Sequence, residues 1–421
     1  MSLPCYYKQR KLIRQLFLMP AMFDSVKHPQ YLGQSVEGTP PHLGNLLPGE
    51  SSETKLNLNF SGKIYFYCVS VESAEKAAYQ HQFIVLAEGL KSLGIPFFSN
   101  KNYWQISSQT DEYLFDHDPE ISPEDCSIVI LGNKWFECQD DFPESFFSSK
   151  RQYVTVYIDE SDGIVTRSWE PEFRHFDFIF KSHYNSKCLY PANFYPGTFG
   201  ISNRILQVTE PSDNFHQRKR KLLVNFRVGH TVRESIRQKF LPVIQNVLPI
   251  DESVENLGTP PDNNHYLYWV QTGRRHHPNY YERLKNSAAC ASFGGYFIPA
   301  WPSDPVVITS PIGRIINIAN KLEWVPKRIM QWDSWRLWES LAAGCVTFHV
   351  DFEKYGLYPP VMPENWRHYV GIDLNKIQEA VERIAAEPQL LENISLQGRR
   401  WAIEHYSPVP TALRFLAIVC K

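Results

Sequence analysis

One stretch in the last quarter of the sequence places an arginine and a glutamate where they could bind a ligand together. In "QWDSWRLWESLAAGCVTFHVD", Arg336 and Glu339 are three residues apart and follow Ser334, a residue type that often caps helix N-termini. Residues three apart share one face of a helix. The carboxylate could accept two hydrogen bonds from a vicinal diol such as a ribose, and the arginine could bind phosphate oxygens. An ordinary surface ion pair explains the same spacing, so spacing alone leaves both interpretations open.

Two loops that follow predicted strands carry further candidates for a ligand site. The segment "NFRVGH" places Arg227, Gly229 and His230 between a strand and a helix, where an anion could bind. The segment "SFGG" ends another strand, and Gly294 and Gly295 could let the backbone approach a diphosphate or a base closely. A structural loop and an ordinary turn are the alternative interpretations of these segments.

Carboxylates also follow a predicted strand in the first half of the sequence. The segment "YIDESDG" places Asp159 and Asp162 where either could remove a proton from an acceptor hydroxyl. An acidic pair would also suit a divalent metal, but no further group of ligands accompanies it, so we predict no metal site. A turn stabilised by aspartate is the structural alternative. We expect His183 and Asn193 to line the acceptor side of the same cleft.

Composition narrows the class of protein. A chain of 421 residues with 43% hydrophobic and 21% charged residues is typical of a soluble globular protein with two domains. The net charge of -2 predicts that nucleic acid is not a partner. We expect no transmembrane segment, because no apolar run approaches the roughly 18 residues that a span needs; a peripheral membrane contact stays open. The eight cysteines lack paired spacing, which predicts reduced thiols and a cytoplasmic location.

The order of predicted elements favours an α/β fold with two Rossmann-like domains that face each other across a cleft. A strand, a long helix and a second strand succeed one another over residues 63–99, which is the pattern of a parallel βαβ unit. The pattern restarts after a polar segment near residues 205–220. The predicted organisation is an irregular N-terminal extension (1–60), an acceptor domain (61–205), a nucleotide-sugar-binding domain (206–400) and a C-terminal helix that crosses back (401–421).

The segments "NYYERLKNSAACASFGG" and "QWDSWRLWESLAAGCVTFHVD" resemble the donor-binding half of glycosyltransferases with the GT-B fold, most closely the exostosin-type and related group-1 families. The shared pattern is Tyr-x-x-x-Leu-x-x-Ser, a strand ending in Gly, then Ser-x-Arg-x-x-Glu, and then Ala-Gly before another strand. It begins at Tyr280 and includes Ser334, Arg336 and Glu339. The first half of the chain matches only in layout.

The resemblance implies that Glu339 holds the ribose of a nucleotide-diphosphate sugar (UDP or GDP), and that Arg336 and Arg227 bind the diphosphate without a metal or other cofactor. Many group-1 retaining enzymes have a second glutamate eight residues earlier, where this sequence has Gln331. The prediction therefore favours an inverting transfer to a hydroxyl of a carbohydrate or small-molecule acceptor. A nucleotide-sugar epimerase of the same fold and a non-catalytic carbohydrate- or nucleotide-binding protein are the alternatives.

Overall fold

The computed structural model describes residues 60–73, 75–139, 141–162, 166–211, 214–227, 229–253, 258–298 and 328–420. The chain separates into two compact units, Met1–Ser51 and Ser52–Lys421, and the described residues belong to the second unit. Residues 1–59 of the predicted N-terminal extension therefore lie outside the described residues.

A parallel sheet forms the first half of the described chain. Its strands are β1 (Ile64–Tyr67), β2 (Phe97–Ser99), β5 (Ile128–Gly132), β6 (Val154–Asp159), β7 (Phe178–Lys181) and β8 (Phe194–Pro196), in the order β2-β1-β5-β6-β7-β8. These strands are runs of apolar residues that are buried on both faces, as a parallel sheet requires. A two-stranded antiparallel hairpin, β3 (Tyr103–Gln105) and β4 (Tyr113–Phe115), lies beside this sheet.

A second parallel sheet follows in the other half. Its strands are β9 (Lys219–Leu223), β10 (Ile250–Asp251), β11 (Ser287–Ala291), β14 (Val346–Val350) and β15 (Val370–Ile372), in the order β10-β9-β11-β14-β15. The short strands β12 (Tyr296–Ile298) and β13 (Arg328–Met330) pair antiparallel beside it.

The helices cover the sheets and connect successive strands. They are α1 (His81–Ser92), α2 (Trp135–Cys138), α3 (Asn203–Thr209), α4 (Thr231–Ser235), α5 (Leu241–Ile244), α6 (Asn263–Gln271), α7 (Pro278–Lys285), α8 (Trp335–Ala342), α9 (Phe352–Tyr355), α10 (Ile377–Ala386), α11 (Leu390–Tyr406) and α12 (Pro408–Val419). A π-helical segment, Ile236–Phe240, joins α4 to α5, and short 3-10 turns span Pro123–Asp125, Arg167–Trp169, Pro171–His175 and Phe215–Gln217. The sequence over residues 231–248 has the periodicity of one amphipathic helix, but Pro242 interrupts it because its ring displaces the carbonyl one turn earlier.

In both sheets, strands are added on both sides of the first strand. In each, the first strand lies between the second and the third strands of that sheet, so the connections leave on opposite sides at that point. Such a switch point opens a crevice at the carboxyl ends of the strands, where ligands of doubly wound folds bind. The predicted fold class, two Rossmann-like α/β domains as in the GT-B arrangement, is confirmed.

Helix α8 follows from its own sequence pattern and is fixed at both ends. Leu337, Trp338 and Leu341 form its buried face, since they recur at helical spacing. At its C-terminal end the free carbonyls are bonded by arginines: Arg218 donates to the carbonyls of residues 343 and 344 at 2.9 and 2.6 Å, and Arg399 donates to that of residue 342 at 2.9 Å. Cations at this end also oppose the negative pole of the helix. The helix is thereby held with its N-terminal turn at the carboxyl edge of the second sheet.

The last helix of the chain packs against the first domain. At Gly89 in α1, an added Cβ would lie only 2.1 Å from the carbonyl oxygen of Pro408, so a glycine is required where α12 begins. Phe415 of α12 contacts Phe180 of β7, with ring centroids 5.3 Å apart. These contacts tie the end of the chain to the first sheet.

Two further observations concern predictions from composition. Among the described residues, no helix is long and apolar enough to cross a membrane. In the described part of the chain, Cys68, Cys290 and Cys345 are free thiols that are buried as small core residues.

Candidate functional site

The carboxyl edges of the two sheets meet across a cleft. The backbone N–H of Asp333, just before α8, donates to Nδ1 of His183 at 3.0 Å, and the indole of Trp332 donates to the carbonyl of Tyr184 at 3.0 Å. His183 and Tyr184 lie directly after β7 of the first sheet. The loop that leads into α8 is therefore bonded to the loop after β7, which places side chains of both domains in one cleft.

Two arginines form the second-domain wall of the cleft. Arg233, in α4, donates from Nε to the carbonyl of Phe293 at 2.8 Å, and burial followed by the charge of Arg336 lowers its pKa to about 10. Nε of Arg336 is buried and has no hydrogen-bond partner. In the described part of the chain, neither guanidinium forms an ion pair with a carboxylate. Arg336 interacts electrostatically with the buried carboxylate of Glu339, but two neighbouring, partly desolvated cations beside it keep a net positive charge that favours an anion.

The predicted loop residues lie beside these arginines. His230 precedes α4; its Nδ1 accepts the N–H of Gly295 at 2.9 Å, and its ring stacks on Tyr296 at 4.7 Å. Burial and then the charge of Arg233 lower the pKa of His230 to about 4, so the ring is neutral at pH 7 and carries its proton on Nε2. Gly229 and Arg227 are exposed at the mouth of the cleft. Their carbonyls accept bonds from Tyr296 and Arg233, respectively.

Glu339 is held inside the second domain. It is 4% exposed, and its two carboxylate oxygens accept the hydroxyls of Tyr280 at 3.0 Å and Tyr281 at 2.9 Å. Nε2 of His276 lies 3.5 Å from the same carboxylate. Desolvation raises the pKa of Glu339, and the tyrosines and Arg336 oppose that rise. Each carboxylate oxygen has a second lone pair, so the tyrosines orient the group and leave it able to accept a further bond.

Several polar groups in and before the first turn of α8 have no hydrogen-bond partner. Ser334 caps the helix by position, but its hydroxyl makes no capping bond and is buried without a hydrogen-bond partner. Nε1 of Trp335 is also buried without one. These groups join Nε of Arg336 on one turn, which is the arrangement expected around a ligand that supplies the missing acceptors.

Asp162 and His183 form the first-domain wall. Asp162 is 74% exposed, and its carboxylate lies 3.6 Å from Nε2 of His183. Nδ1 of His183 accepts the N–H of Asp333, so the other ring nitrogen, Nε2, is the one that faces Asp162. Desolvation in the cleft would raise the pKa of Asp162. His183 and a hydrogen bond from Gln331 stabilise its ionised form by more, so the pKa is lowered. His183 and Gln331 both have positive φ, 59° and 56°, a strained conformation that is typical of functional sites.

Asp159 occupies a different environment from Asp162. It is fully buried at the end of β6 and forms an ion pair of 2.8 Å with Lys181 of β7. The hydroxyl of Thr166 donates to it at 2.9 Å. Burial alone would raise its pKa, but Lys181 lowers it to about 2. A carboxylate that is enclosed and bound in this way has no open side for an acceptor, so the geometry favours Asp162 over Asp159 as a base.

Asn193 does not line the cleft, contrary to the prediction. It immediately precedes β8, and its side chain donates to the carbonyl of Phe176 at 2.9 Å. Because β7 and β8 are parallel, the chain must return to the amino edge of the sheet between them. The prediction is wrong for that reason: Asn193 lies at the opposite edge of the sheet from His183.

The paired glycines face protein backbone. An added Cβ on Gly294 would lie 3.2 Å from the carbonyl oxygen of Trp332, and Gly295 has a φ of 103°. The N–H of Gly295 is taken by His230. Packing against the segment around β13 therefore explains both residues, and the predicted backbone contact with a diphosphate is not needed to account for them.

Sequence reasoning missed Arg233, Tyr281 and His276 as site residues. Arg233 lies in the first turn of the helix that follows the "NFRVGH" segment, so extending the anion-site rule used there by one turn could have found it. The roles of Tyr281 and His276 depend on how α7 packs against α8, for which the sequence has no local signal. In the described residues, no group of three or more His, Cys, Asp or Glu side chains could hold a metal ion.

No protein-family model matches the sequence, and no curated protein matches it. Solved structures share the architecture at low identity. An alpha-glucosyltransferase in complex with UDP-glucose and DNA is 9% identical, with 86% of this chain and all of that chain covered and a TM-score of 0.48. A glycosyltransferase involved in avilamycin A biosynthesis is 12% identical over 85% and 97%, with a TM-score of 0.44. A putative UDP-N-acetylglucosamine 2-epimerase from Listeria monocytogenes is 11% identical over 85% and 95%, with a TM-score of 0.38.

These similarities concern overall architecture, and the exostosin-type family is not confirmed by them. They do contradict one prediction. Several of the similar structures are alpha-glucosyltransferases in complex with DNA, so the exclusion of nucleic acid as a partner was wrong. Net charge averages over the whole surface, and a near-neutral total does not exclude a local group of cations such as the arginines of the cleft.

Proposed function

We propose that this protein transfers a sugar from a nucleoside diphosphate to a hydroxyl group of an acceptor. The observation that carries the proposal is the pair Arg233 and Arg336, which lies at the switch point of the second sheet without a salt bridge to any carboxylate of the described residues. A diphosphate brings the negative charge that this pair lacks, and planar guanidinium groups bind phosphate oxygens in pairs. Two fixed cations also remove the need for a metal ion at the leaving group.

The donor is positioned by the first two turns of α8. Glu339, oriented by Tyr280 and Tyr281, accepts hydrogen bonds from the ribose hydroxyls, while Ser334 and Arg336 bind the diphosphate. Tight binding of the nucleotide part places the sugar carbon at the opposite wall of the cleft. Glu339 recognises the ribose, which UDP- and GDP-sugars share, so either nucleotide fits this contact.

Transfer uses Asp162 as the general base. Its lowered pKa keeps the carboxylate ionised at neutral pH, and His183 and Gln331 orient it. The acceptor oxygen gives its proton to Asp162 and bonds to the sugar carbon, while the bond from that carbon to the diphosphate breaks. The departing oxygen becomes more negative, and the arginines stabilise it. This single displacement inverts the configuration at the sugar carbon.

Calorimetric titration with UDP and GDP tests the donor site. We expect Arg336→Ala to weaken nucleotide binding about 100-fold, since it removes charge-assisted bonds from a desolvated site. Arg400→Ala is the matched control, because Arg400 is an exposed arginine that pairs with Glu404 on α11, and it should leave the affinity unchanged. Equal affinities of wild type and Arg336→Ala would overturn the donor site.

Product analysis with a UDP-sugar tests the reaction. Asp162→Asn should keep the UDP affinity of the wild type and lower turnover at least about 100-fold, because general-base catalysis contributes about that much. Full turnover in this variant would remove Asp162 as the base. Conversion of the UDP-sugar to an isomer in the absence of any acceptor would show an epimerase instead, and nucleotide binding without any turnover would show a binding protein.

A further inference from the structure

A hollow between α1, α12 and the loop after β8 lies next to the cleft. It comprises about 490 Å³ of space, part of which is open to solvent. An apolar cavity of about 150 Å³ is enough to hold benzene, so the enclosed part of the hollow suits a small ligand. Phe199 lines the hollow, and its ring also contacts Trp335 and His183 of the cleft, with centroids 5.2 and 5.9 Å apart. None of the residues assigned above to donor binding or proton transfer lines the hollow.

The lining of this hollow is mostly apolar. Side chains of α1, β6, β7 and α12 form it, among them Val85, Leu86, Ile158, Phe180, Phe415 and Ile418. The residues from α12 are at positions 411, 414, 415 and 418, so they follow the spacing of one helix face. A lining of this kind favours the apolar body of a ligand, because binding removes apolar surface from water on both sides.

Arg414 is the charged side chain of this lining. It is 9% exposed, its guanidinium lies over the ring of Tyr406 at 5.1 Å, and its Nη1 donates to the carbonyl of His405 at 2.8 Å. Its other N–H groups have no hydrogen-bond partner, and no carboxylate forms an ion pair with it, in the part of the chain that the structure describes. Burial lowers the pKa of Arg414, and of its neighbours only Tyr406 opposes that change. The packing on α11 therefore uses little of what the guanidinium can donate.

Thr411 supplies a second polar group without a partner. Its hydroxyl oxygen is buried and makes no hydrogen bond to the described residues. Thr411 precedes Arg414 by about one turn of α12, so the two side chains are neighbours on the helix face that lines the hollow. A buried cation without an acidic partner and a buried hydroxyl without an acceptor both cost free energy, and oxygen atoms of a ligand would recover it.

The two polar groups and the apolar lining indicate the ligand. A guanidinium group and a hydroxyl match the paired oxygens of a carboxylate. One guanidinium balances one negative charge, whereas a doubly charged phosphate ester would leave a charge unpaired in a buried site. We propose that this hollow binds a small carboxylate with an apolar body, such as a short fatty acid or an aromatic acid. The site does not depend on the proposed function, because its occupant need not react.

Paired ligands that differ in charge test the proposal. Hexanoate and benzoate, with hexanamide and benzamide as neutral counterparts, would be added to the full chain and followed by calorimetry and saturation-transfer NMR. Wild type should bind at least one carboxylate, at least about tenfold more tightly than its amide, because the amide lacks the charge that Arg414 attracts. Arg414→Met should abolish this preference. Arg400→Met removes an exposed arginine that pairs with Glu404 and should leave it unchanged.

Thr411→Val tests the second polar contact. Valine keeps the shape of the side chain and removes a hydroxyl that has no partner among the described residues, so the melting temperature without ligand should be unchanged or higher. The affinity for the carboxylate should fall about fivefold, because one hydrogen bond to it is lost. A variant that stays folded and yet binds less tightly separates a ligand contact from a structural role. It also keeps the test decisive should Arg414→Met fail to fold.

Four outcomes would overturn the carboxylate site. The first is that wild type binds neither carboxylate, or binds each as weakly as its amide. The second is unchanged carboxylate affinity in Arg414→Met or in Thr411→Val. The third is tighter binding of hexyl phosphate than of hexanoate, which would assign the hollow to phosphate esters. The fourth is loss of carboxylate binding in Arg336→Ala, which would place the ligand at the arginines of the cleft.

Discussion

The carboxyl edges of the two sheets contain buried charge in opposite states. In the first domain, Asp159 and Lys181 neutralise each other at 2.8 Å, and both are almost fully buried. In the second domain, Arg233 and Arg336 face each other as like charges and have no carboxylate in an ion pair among the described residues. The charges of Asp159 and Lys181 balance each other without a ligand, whereas the positive charge of the two arginines favours a bound anion. Charge left unpaired identifies the ligand site better than charge alone.

The largest expected effect concerns the buried ion pair between Asp159 and Lys181. Lys181→Met leaves the carboxylate of Asp159 buried without its cation, and breaking a buried pair in this way costs about 3–5 kcal/mol of unfolding free energy. Urea unfolding measures it. Lys376→Met is the control, because Lys376 pairs with Glu379 on the surface and such pairs contribute little. A loss below about 1 kcal/mol for Lys181→Met would mean that the pair is not the structural element described above.

Glu160, the residue after Asp159, should make the stability of the fold depend on pH. Glu160 is buried where its carboxylate accepts the backbone N–H of Gln82, and burial raises its pKa to about 8, whereas Lys181 lowers that of Asp159. A carboxyl group whose pKa is raised in the folded state favours folding when protonated. Glu160 therefore costs stability progressively as pH rises from about 4, its unfolded pKa, towards 8.

Glu160→Gln removes this cost and keeps the acceptor for Gln82. The variant should gain on the order of a few kcal/mol over wild type at pH 8 and little at pH 5. Urea unfolding of both proteins at the two pH values measures the difference. A gain of equal size at both values would show that Glu160 does not titrate in this range.

The arginine pair should respond much less to the same type of substitution. Arg336→Met removes the repulsion with Arg233 and also the attraction to Glu339, so the stability of the free protein should change by no more than about 1 kcal/mol. UDP should raise the melting temperature of wild type by mass action and leave that of Arg336→Met unchanged. Destabilisation comparable to that of Lys181→Met would show that Arg336 is paired internally and would end the contrast between the two edges.

Local pattern was sufficient to predict most of the fold. Apolar runs identified β1, β5, β6, β11 and β14, and the spacing of Trp335, Trp338, Leu341 and Ala342 identified α8. The helical pattern in the sequence extends over residues 72–94, but α1 begins only at His81. The hydroxyl of Tyr103 binds the backbone N–H of Gln80 at 2.9 Å, so a tertiary contact fixes where that helix begins.

The site was only partly predictable because its chemistry depends on pairing across the sheet. Asp159 and Asp162 have the same side chain and the same local context in the sequence. Their difference arises from Lys181, which is 22 residues away along the chain and adjacent in the sheet. Nothing between them in the sequence indicates that register. Arg336 and Glu339 could be identified from the sequence because helical spacing alone places them on one face.

The smallest expected effect tests how Glu339 is held. Tyr281→Phe removes one hydrogen bond to the carboxylate of Glu339 and keeps the aromatic ring. The carboxylate is then less firmly oriented, and its ionised form is less well stabilised against desolvation. We expect UDP affinity to fall about fivefold, corresponding to about 1 kcal/mol for one hydrogen bond. Tyr153→Phe is matched, because that hydroxyl also donates within a core, to the carbonyl of Phe146 at 3.2 Å. If both variants lower UDP affinity equally, the effect is a general loss of stability; if only Tyr281→Phe does, the tyrosine positions Glu339 for the nucleotide.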